Sequence, residues 1–333
     1  MTHLTKEQRY TIFLMRKEGK SQTEIAKAIS VDKSTVCREL KRNSRPHGRQ
    51  YDYREAHLVS QKRWKNARKR ILLDEDMKAM IRGKLALFWS PEQISGFCRR
   101  SGIRCVSHES IYRMIYRDKE DGGSLYLQLR RRGRRYRKRG GKYQYRGTIP
   151  NRTDISERPA VVDRRERFGD LEGDLVVGSG QQGAIVTIVD RMTGYSWSAM
   201  LDGKRADGVA DAVIAMLRPF RGLLHTITFD NGREFSSHEA IAEELGVQVF
   251  FARPYHSWER GTNENWNDLL RQFFPKGSSF EGVPPEKLPV CTYLINSRPR
   301  KKLNYFSPNQ KICSIFANDS KLVSLVNSVA FVT

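Results

Sequence analysis

The stretch FGDLEGDLVVG (168–178) decides the fold: it is a short apolar run with Asp174 inside it, and it reads as a strand. GAIVTIVD (183–190) follows as a second strand and YSWSAML (195–201) as a third, with Gly180, Gly183 and Gly194 in the turns between them. ADGVADAVIAMLRPF (206–220) has the spacing of an amphipathic helix. HTITFDNG (225–232) predicts a fourth strand ending on Asp230, closed by an Asn231-Gly232 turn. SSHEAIAEEL (236–245) predicts a capped helix, VQVFFA (247–252) a fifth strand, and a helix from about Thr262 to Phe274 carries Glu264.

The order β-β-β-α-β-α-β-α is what a ribonuclease H-like fold needs: three antiparallel strands, then parallel ones, with helices on both faces. Asp174 then lies on the central strand, Asp230 at the end of its neighbour, and Glu264 on a helix packed across the sheet. Three acids converge where the strand ends open. Crowded carboxylates repel one another, so such a site implies divalent cations. Asp170, Glu172, Asp190, Glu234 and Glu259 lie nearby and read singly as solvated surface charges.

Outward from this half, the composition changes. Residues 1–150 carry 38 Lys and Arg against 15 Asp and Glu, residues 151–333 carry 22 of each, and the net charge of +23 therefore lies wholly in the N-terminal half. A surplus so segregated points to a polyanion, nucleic acid above all. From Thr5 to Asn43, Ile12 and Met15 begin the apolar face of one helix that Gly19 ends. Ser21 and Glu24 form a capping box for a second helix with Ile25 and Ile29 inward. Asp32 caps a third, with Val36 and Leu40 inward. Lys33, Ser34, Thr35 and Arg38 then face outward, where a helix-turn-helix reads bases, and Lys41 and Arg42 suit phosphates. A plain trihelical bundle with a solvated basic face fits the same pattern.

WSPEQISG (89–96) and VSHESIYRMIY (106–116) predict a second such unit. Ser90, Pro91 and Gln93 open one helix; Ser107 caps the next, with Ile111 and Ile115 inward and His108, Glu109, Ser110 and Arg113 outward. QKRWKNARKR (61–70) reads as a basic helix, and RRRGRRYRKRGG (130–141), with Arg131, Arg132, Arg134 and Arg135, as a linker that orders on a DNA backbone. Five cysteines without a Cys-x-x-Cys motif suit a reducing compartment, and Cys98, Cys105 and His108 read as packing and surface residues rather than metal ligands. No run approaches the roughly 18 apolar residues of a membrane span.

FGDLEGDLVVG, TFDNGREF (228–235) and WERGTNEN (258–265) closely resemble the three acidic motifs of the insertion-sequence-thirty transposases, a DDE-type family. GTIPNRTDISERP (147–159), RQFFPKG (271–277) and NSRPRKKLNYFSP (296–308) resemble its flanking blocks, and WSPEQISG its tandem DNA-binding region. The resemblance covers nearly the whole chain. It implies a multidomain α plus α/β protein: N-terminal tandem helix-turn-helix units, then a ribonuclease H-like mixed five-stranded sheet with flanking helices. It puts the catalytic and metal-binding triad on Asp174, Asp230 and Glu264, the last two separated by 33 residues as the family spaces them. It also implies Mg²⁺, with Mn²⁺ as substitute, two ions per site, and no small-molecule cofactor. The implied partners are double-stranded DNA, as terminal inverted repeats and target, and further copies of the chain on that DNA. The implied setting is the bacterial cytoplasm at the nucleoid.

The expected boundaries are 1–45 and 71–118 for the helix-turn-helix units, 46–70 for a connector, 119–157 for a basic linker, 158–310 for the catalytic domain and 311–333 for a tail. Arg260 is expected on a DNA phosphate, and His256 in a proton transfer or a structural hydrogen bond. Trp266 and Asp268 depart from the smaller or uncharged residues expected there, and Trp266 either lines the DNA groove or packs on the sheet. A DNA-binding repressor with an inactive catalytic half is the alternative, and a nuclease for RNA–DNA hybrids another; the complete triad disfavours the first and the paired DNA-reading units the second.

Overall fold

The structure, a computed structural model, describes residues 4–43, 51–66, 73–130, 149–253 and 256–320, with 323, 324 and 326. The chain divides into two compact units, residues 1–71 and 72–333.

In the first unit, α1 (Lys6–Lys17), α2 (Gln22–Ala28) and α3 (Lys33–Asn43) follow the predicted pattern. Thr5 and Ser21 each close a capping box, and Ile12, Ile25, Ile29, Val36 and Leu40 meet in one core. The expected connector begins earlier than its basic run: α4 (Tyr53–Asn66) packs on α1. Arg9 ties the bundle together, pairing with Glu39 of α3 at 2.8 Å and donating to Ser60 of α4 at 2.9 Å. Such a buried pair fixes geometry more than it adds stability.

The second unit begins with α5 (Glu75–Ala86), α6 (Pro91–Arg100) and α7 (His108–Glu120), around Ile81, Leu85, Ile94, Ile111 and Ile115. Ser90 and Gln93 make the predicted capping box, and Ser107 caps α7. After a short α8 (Ala160–Arg164) come β1 (Asp170–Val177), β2 (Ala184–Asp190), β3 (Ser196–Leu201), α9 (Ala206–Leu217), β4 (Thr226–Phe229), α10 (His238–Leu245), β5 (Gln248–Phe251) and α11 (Gly261–Leu270). The unit continues through α12 (Lys287–Asn296) and α13 (Pro308–Ile315). The sheet order is β3-β2-β1-β4-β5: β1 is central, antiparallel to β2 and parallel to β4.

Two local details differ from expectation. The helix carrying Glu264 stops at Leu270, and α10 starts at His238 without a side-chain cap. Ile312, Phe316 and Val326, from the stretch expected as a tail, are buried in the main core, as is Ile149 from the stretch expected as linker.

Strand alternation positions the site. Leu171 and Leu175 point into the core shared with Val209, Val213 and Ile241, which leaves Asp170, Glu172 and Asp174 on the opposite face, over which Trp266, Leu269 and Leu270 of α11 pack. Trp266 is therefore a core residue. Gly173 sits where β1 passes closest to Phe229: an added Cβ would lie 2.3 Å from that ring. Gly173→Ala should cost about 1–3 kcal/mol, as overpacking does, and lower the urea midpoint without changing the slope. An unchanged midpoint would mean the ring has room to move.

Candidate catalytic site

Asp174 and Asp230 reach the same point from adjacent parallel strands. Between them lies the Arg260 guanidinium, 3.6 Å from an Asp174 oxygen and 3.7 Å from an Asp230 oxygen. Arg260 also donates to the Gly173 carbonyl at 2.9 Å and is only 7% exposed. The side chain expected on a DNA phosphate lies here between two carboxylates. Asp230 is held by the turn that follows β4, its Oδ1 accepting from Gly232 N at 3.0 Å. Burial raises the Asp174 carboxyl to about 6 and the Asp230 charge adds to the rise, while Arg260 opposes it.

Glu264 occupies the exposed first turn of α11. Two asparagines one helical turn apart fasten this helix to the sheet. Asn263 donates its backbone N–H to Glu172 Oε2 at 2.9 Å and its amide to the Glu172 and Thr187 carbonyls. Asn267 donates to Asp174 Oδ2 at 2.7 Å, and Thr187 donates across to Asn263 or Asn267. Glu172 is in turn paired with Arg191 at 3.0 Å, both buried. The structure thus brings Asp174 and Asp230 together and sets Glu264 on the exposed first turn of a helix clamped to the sheet. Among the described residues, no three carboxylate, His or Cys side chains are grouped closely enough to form a metal cage.

These clamps escaped the sequence reading, although asparagines at 263 and 267, spaced four apart around an expected catalytic acid, carry the signal. Arg271, two turns after Glu264, was also missed; its guanidinium is half-buried and feels the Asp174 charge. Asp268 pairs with Arg130 at 2.9 Å on the surface. Lys33, Ser34, Arg38, Lys41 and Arg42 are exposed on α3 with Thr35 half-buried, and His108 and Arg113 are exposed on α7 with Ser110 half-buried. Arg131, Arg132, Arg134 and Arg135 lie outside the described residues.

A central strand bearing one acid, a neighbouring parallel strand ending on another, and a helix carrying a third define an integrase-core polynucleotidyl transferase. Known proteins agree. Residues 1–43 match the model of a helix-turn-helix domain and residues 165–257 that of the integrase core domain. The transposase for insertion sequence element IS4351 of Bacteroides fragilis is 47% identical over 96% of this chain and 98% of its own length. The transposase InsI for insertion sequence element IS30A of Escherichia coli is 35% identical over 94% of this chain and 84% of its own. A chain of a simian T-cell lymphotropic virus intasome shows a slight likeness: TM-score 0.37, 18% identity, 43% of this chain and 54% of that one. The chain belongs to the IS30 family of insertion-sequence transposases. It is a DNA-binding transposase of the DDE class, a class that uses divalent metal ions. Among the described residues, no helix is long and apolar enough to cross a membrane.

Two of the three expected donors, Asp174 and Asp230, are brought together, and their chemistry fits a divalent cation. Two carboxylates converge on one positive group, and every donor is an oxygen, the set that hard cations take. Asp174 must ionise to hold such an ion, so affinity should rise as pH passes upward through about 6. Roughly a tenth of a group with that pKa is ionised at pH 5 and roughly nine tenths at pH 7, so Mn²⁺ should bind about tenfold more tightly at pH 7. Titration calorimetry without DNA reads this directly; equal affinity at both pH values would exclude Asp174 as a ligand.

Proposed function

We propose that this transposase binds the terminal inverted repeats of its own element, cleaves to release their 3′ ends, and joins those ends to target DNA. In this reading Asp174, Asp230 and Glu264 are the catalytic residues and hold two Mg²⁺ ions, with Mn²⁺ able to substitute. The observation that carries it is the convergence of Asp174 and Asp230 on Arg260 from neighbouring strands, under a helix fixed by Asn263 and Asn267. When bound, the ions supply activation of the nucleophile and neutralisation of charge on the departing oxygen. Asn263 and Asn267 clamp the helix that carries Glu264 to the sheet, Asn267 through Asp174 itself. Arg260 balances the charge of Asp174 and Asp230, and Arg271 adds a half-buried guanidinium that feels the Asp174 charge.

In cleavage, a water oxygen attacks phosphorus and the P–O3′ bond breaks, leaving a 3′-hydroxyl and a 5′-phosphate. In joining, that 3′-hydroxyl attacks a target phosphodiester and one P–O bond replaces another. The exchange needs no covalent protein intermediate and no small-molecule cofactor. Two ends cut in concert call for more than one copy of the chain on double-stranded DNA. The setting is the bacterial cytoplasm, on the nucleoid.

The test is an end-labelled assay on circular DNA carrying candidate repeats, with Mg²⁺, Mn²⁺ or EDTA. Metal-dependent release of 3′ ends supports the reading; binding without release in either metal supports a repressor instead. The exposed face of α3 is proposed to read bases through Lys33, Ser34, Thr35 and Arg38, with phosphates held by Lys41 and Arg42 and, from α7, by His108, Ser110 and Arg113. Replacing Lys33 and Arg38 by Ala should cost about 1–3 kcal/mol per base contact on the cognate repeat and less on random duplex. Equal losses on both would assign these residues to the backbone.

A further inference from the structure

A cavity of about 1070 Å³ opens between the second helix-turn-helix bundle and the catalytic core, within the second unit. Its walls come from α6 and α7 on one side, and from α11 and residues 298–305 on the other. Close contacts hold the walls together: Phe88 meets Phe273 edge to face at 4.9 Å, the Arg100 guanidinium lies 4.0 Å over Phe306, and Gly96 abuts the Tyr305 ring so tightly that any Cβ would clash.

The lining is basic and aromatic. Arg298, Arg300 and Arg130 contribute cations, and Tyr112, Tyr116 and Tyr305 contribute rings. Arg298 is the most telling of them. It is 2% exposed and forms no ion pair among the described residues; its Nη1 donates to Gln272 at 2.6 Å, and its Nε and Nη2 have no hydrogen-bond partner. Burial and the charges of Arg300 and Arg130 together push its pKa down to about 9. The rings of Phe88 and Phe273, 5.8 and 5.5 Å from the guanidinium, offset part of the cost of burial, but idle donors facing like charges still call for an anion. Arg300, half-buried beside it, donates its Nη2 to the Ile295 carbonyl at 2.9 Å, and burial and the Arg130 charge lower it as well.

Size and chemistry select the anion. The volume matches the roughly 300–1,000 Å³ of ligand clefts and is far too small for a duplex. Cations that track a backbone, interleaved with rings on which bases stack, form a single-strand platform. Tyr112 and Tyr116 already lie nearly parallel, 6.2 Å apart with an interplanar angle of 18°. Asn265 and Leu269 of the far wall belong to the helix that bears Glu264.

We infer that this cavity binds a short single-stranded DNA segment beside the catalytic site, with phosphates on Arg298 and Arg300 and bases against Tyr112 and Tyr116. The inference rests on the transposase reading and adds a strand-holding site to it.

The test uses full-length protein, a fluorescein-labelled eight-nucleotide oligothymidylate and a labelled random 30-base-pair duplex, followed by anisotropy across a salt series. Tyr112→Ala and Tyr116→Ala should each weaken single-strand binding about five- to a hundredfold, as loss of base stacking does, and leave duplex binding within about twofold. Arg300→Gln should reduce the salt slope on the single strand by about 0.7, one phosphate contact. Arg298→Met should lose single-strand affinity while keeping or raising the melting temperature, because it removes an unpaired buried charge. Photocrosslinking with 5-iodouracil oligonucleotides should label Tyr112 or Tyr116. Duplex binding with single-strand affinity unchanged in all four variants, or crosslinks mapping elsewhere, would overturn the cavity assignment alone. A protein that binds neither DNA would overturn the transposase reading beneath it.

Discussion

Asp230→Ala is expected to abolish metal-dependent 3′-end release, by at least about a thousandfold, while repeat binding stays within about twofold. The magnitude follows from the several kcal/mol that a cation-held charge contributes to a phosphoryl-transfer transition state, at about 1.4 kcal/mol per tenfold. The confinement to chemistry follows from position. Asp230 sits after β4 in the second unit, whereas the exposed α3 residues proposed to read the repeat belong to the first. Loss of Asp230 also leaves Arg260 with Asp174 as its only carboxylate partner of the two, so that guanidinium should draw closer to Asp174 and compete with a cation there. Calorimetry should therefore show weakened Mn²⁺ binding in parallel with lost release. Glu264→Ala should lose release equally with less effect on that competition, because Glu264 stands exposed on α11. Release that survives Asp230→Ala unaltered would remove this triad as the catalytic set.

The strands of the core were legible because hydrophobic runs between glycine turns leave little freedom. β2 is buried along its whole length and its sequence, AIVTIVD, is apolar apart from Thr187 and its last residue. The helix caps at Ser21, Ser90 and Ser107 were legible because a capping side chain bonds to backbone two or three residues away. What stayed hidden depends on contacts between residues far apart in the chain. Glu172 reads as one more surface acid until β1 is placed centrally with α11 above it; only then does it meet Arg191 and the Asn263 backbone. Arg260 suggests a phosphate ligand by its sign, and only the fold places two carboxylates beside it. Arg298 sits in a block recognised by resemblance, yet its burial follows from the docking of α5–α7 on the core, which no local periodicity encodes.

The hidden network yields the second large effect. Glu172→Ala should destabilise the second unit by about 3–5 kcal/mol, the cost of leaving one member of a buried ion pair without its partner. Arg191 is only 4% exposed but would keep Asp163, itself 63% exposed, at 3.2 Å, and this residual partner, though screened, holds the loss to the lower end of that range. For a unit of this size about 3 kcal/mol corresponds to a fall of roughly 6–12 °C in melting temperature. The same change frees the Asn263 backbone N–H, so the start of α11, which carries Glu264, loosens. Release measured well below the melting temperature should therefore slow as well, which a loss of stability alone would not produce. Replacing both partners, Glu172→Met with Arg191→Met, should restore most of the stability but not the rate, because a thioether offers Asn263 no strong acceptor. A melting temperature within about 2 °C of the parent for Glu172→Ala would show that the pair is bridged by water instead. Stability lost without any change in rate would confine Glu172 to the core and release Asn263 from its role in holding the catalytic helix.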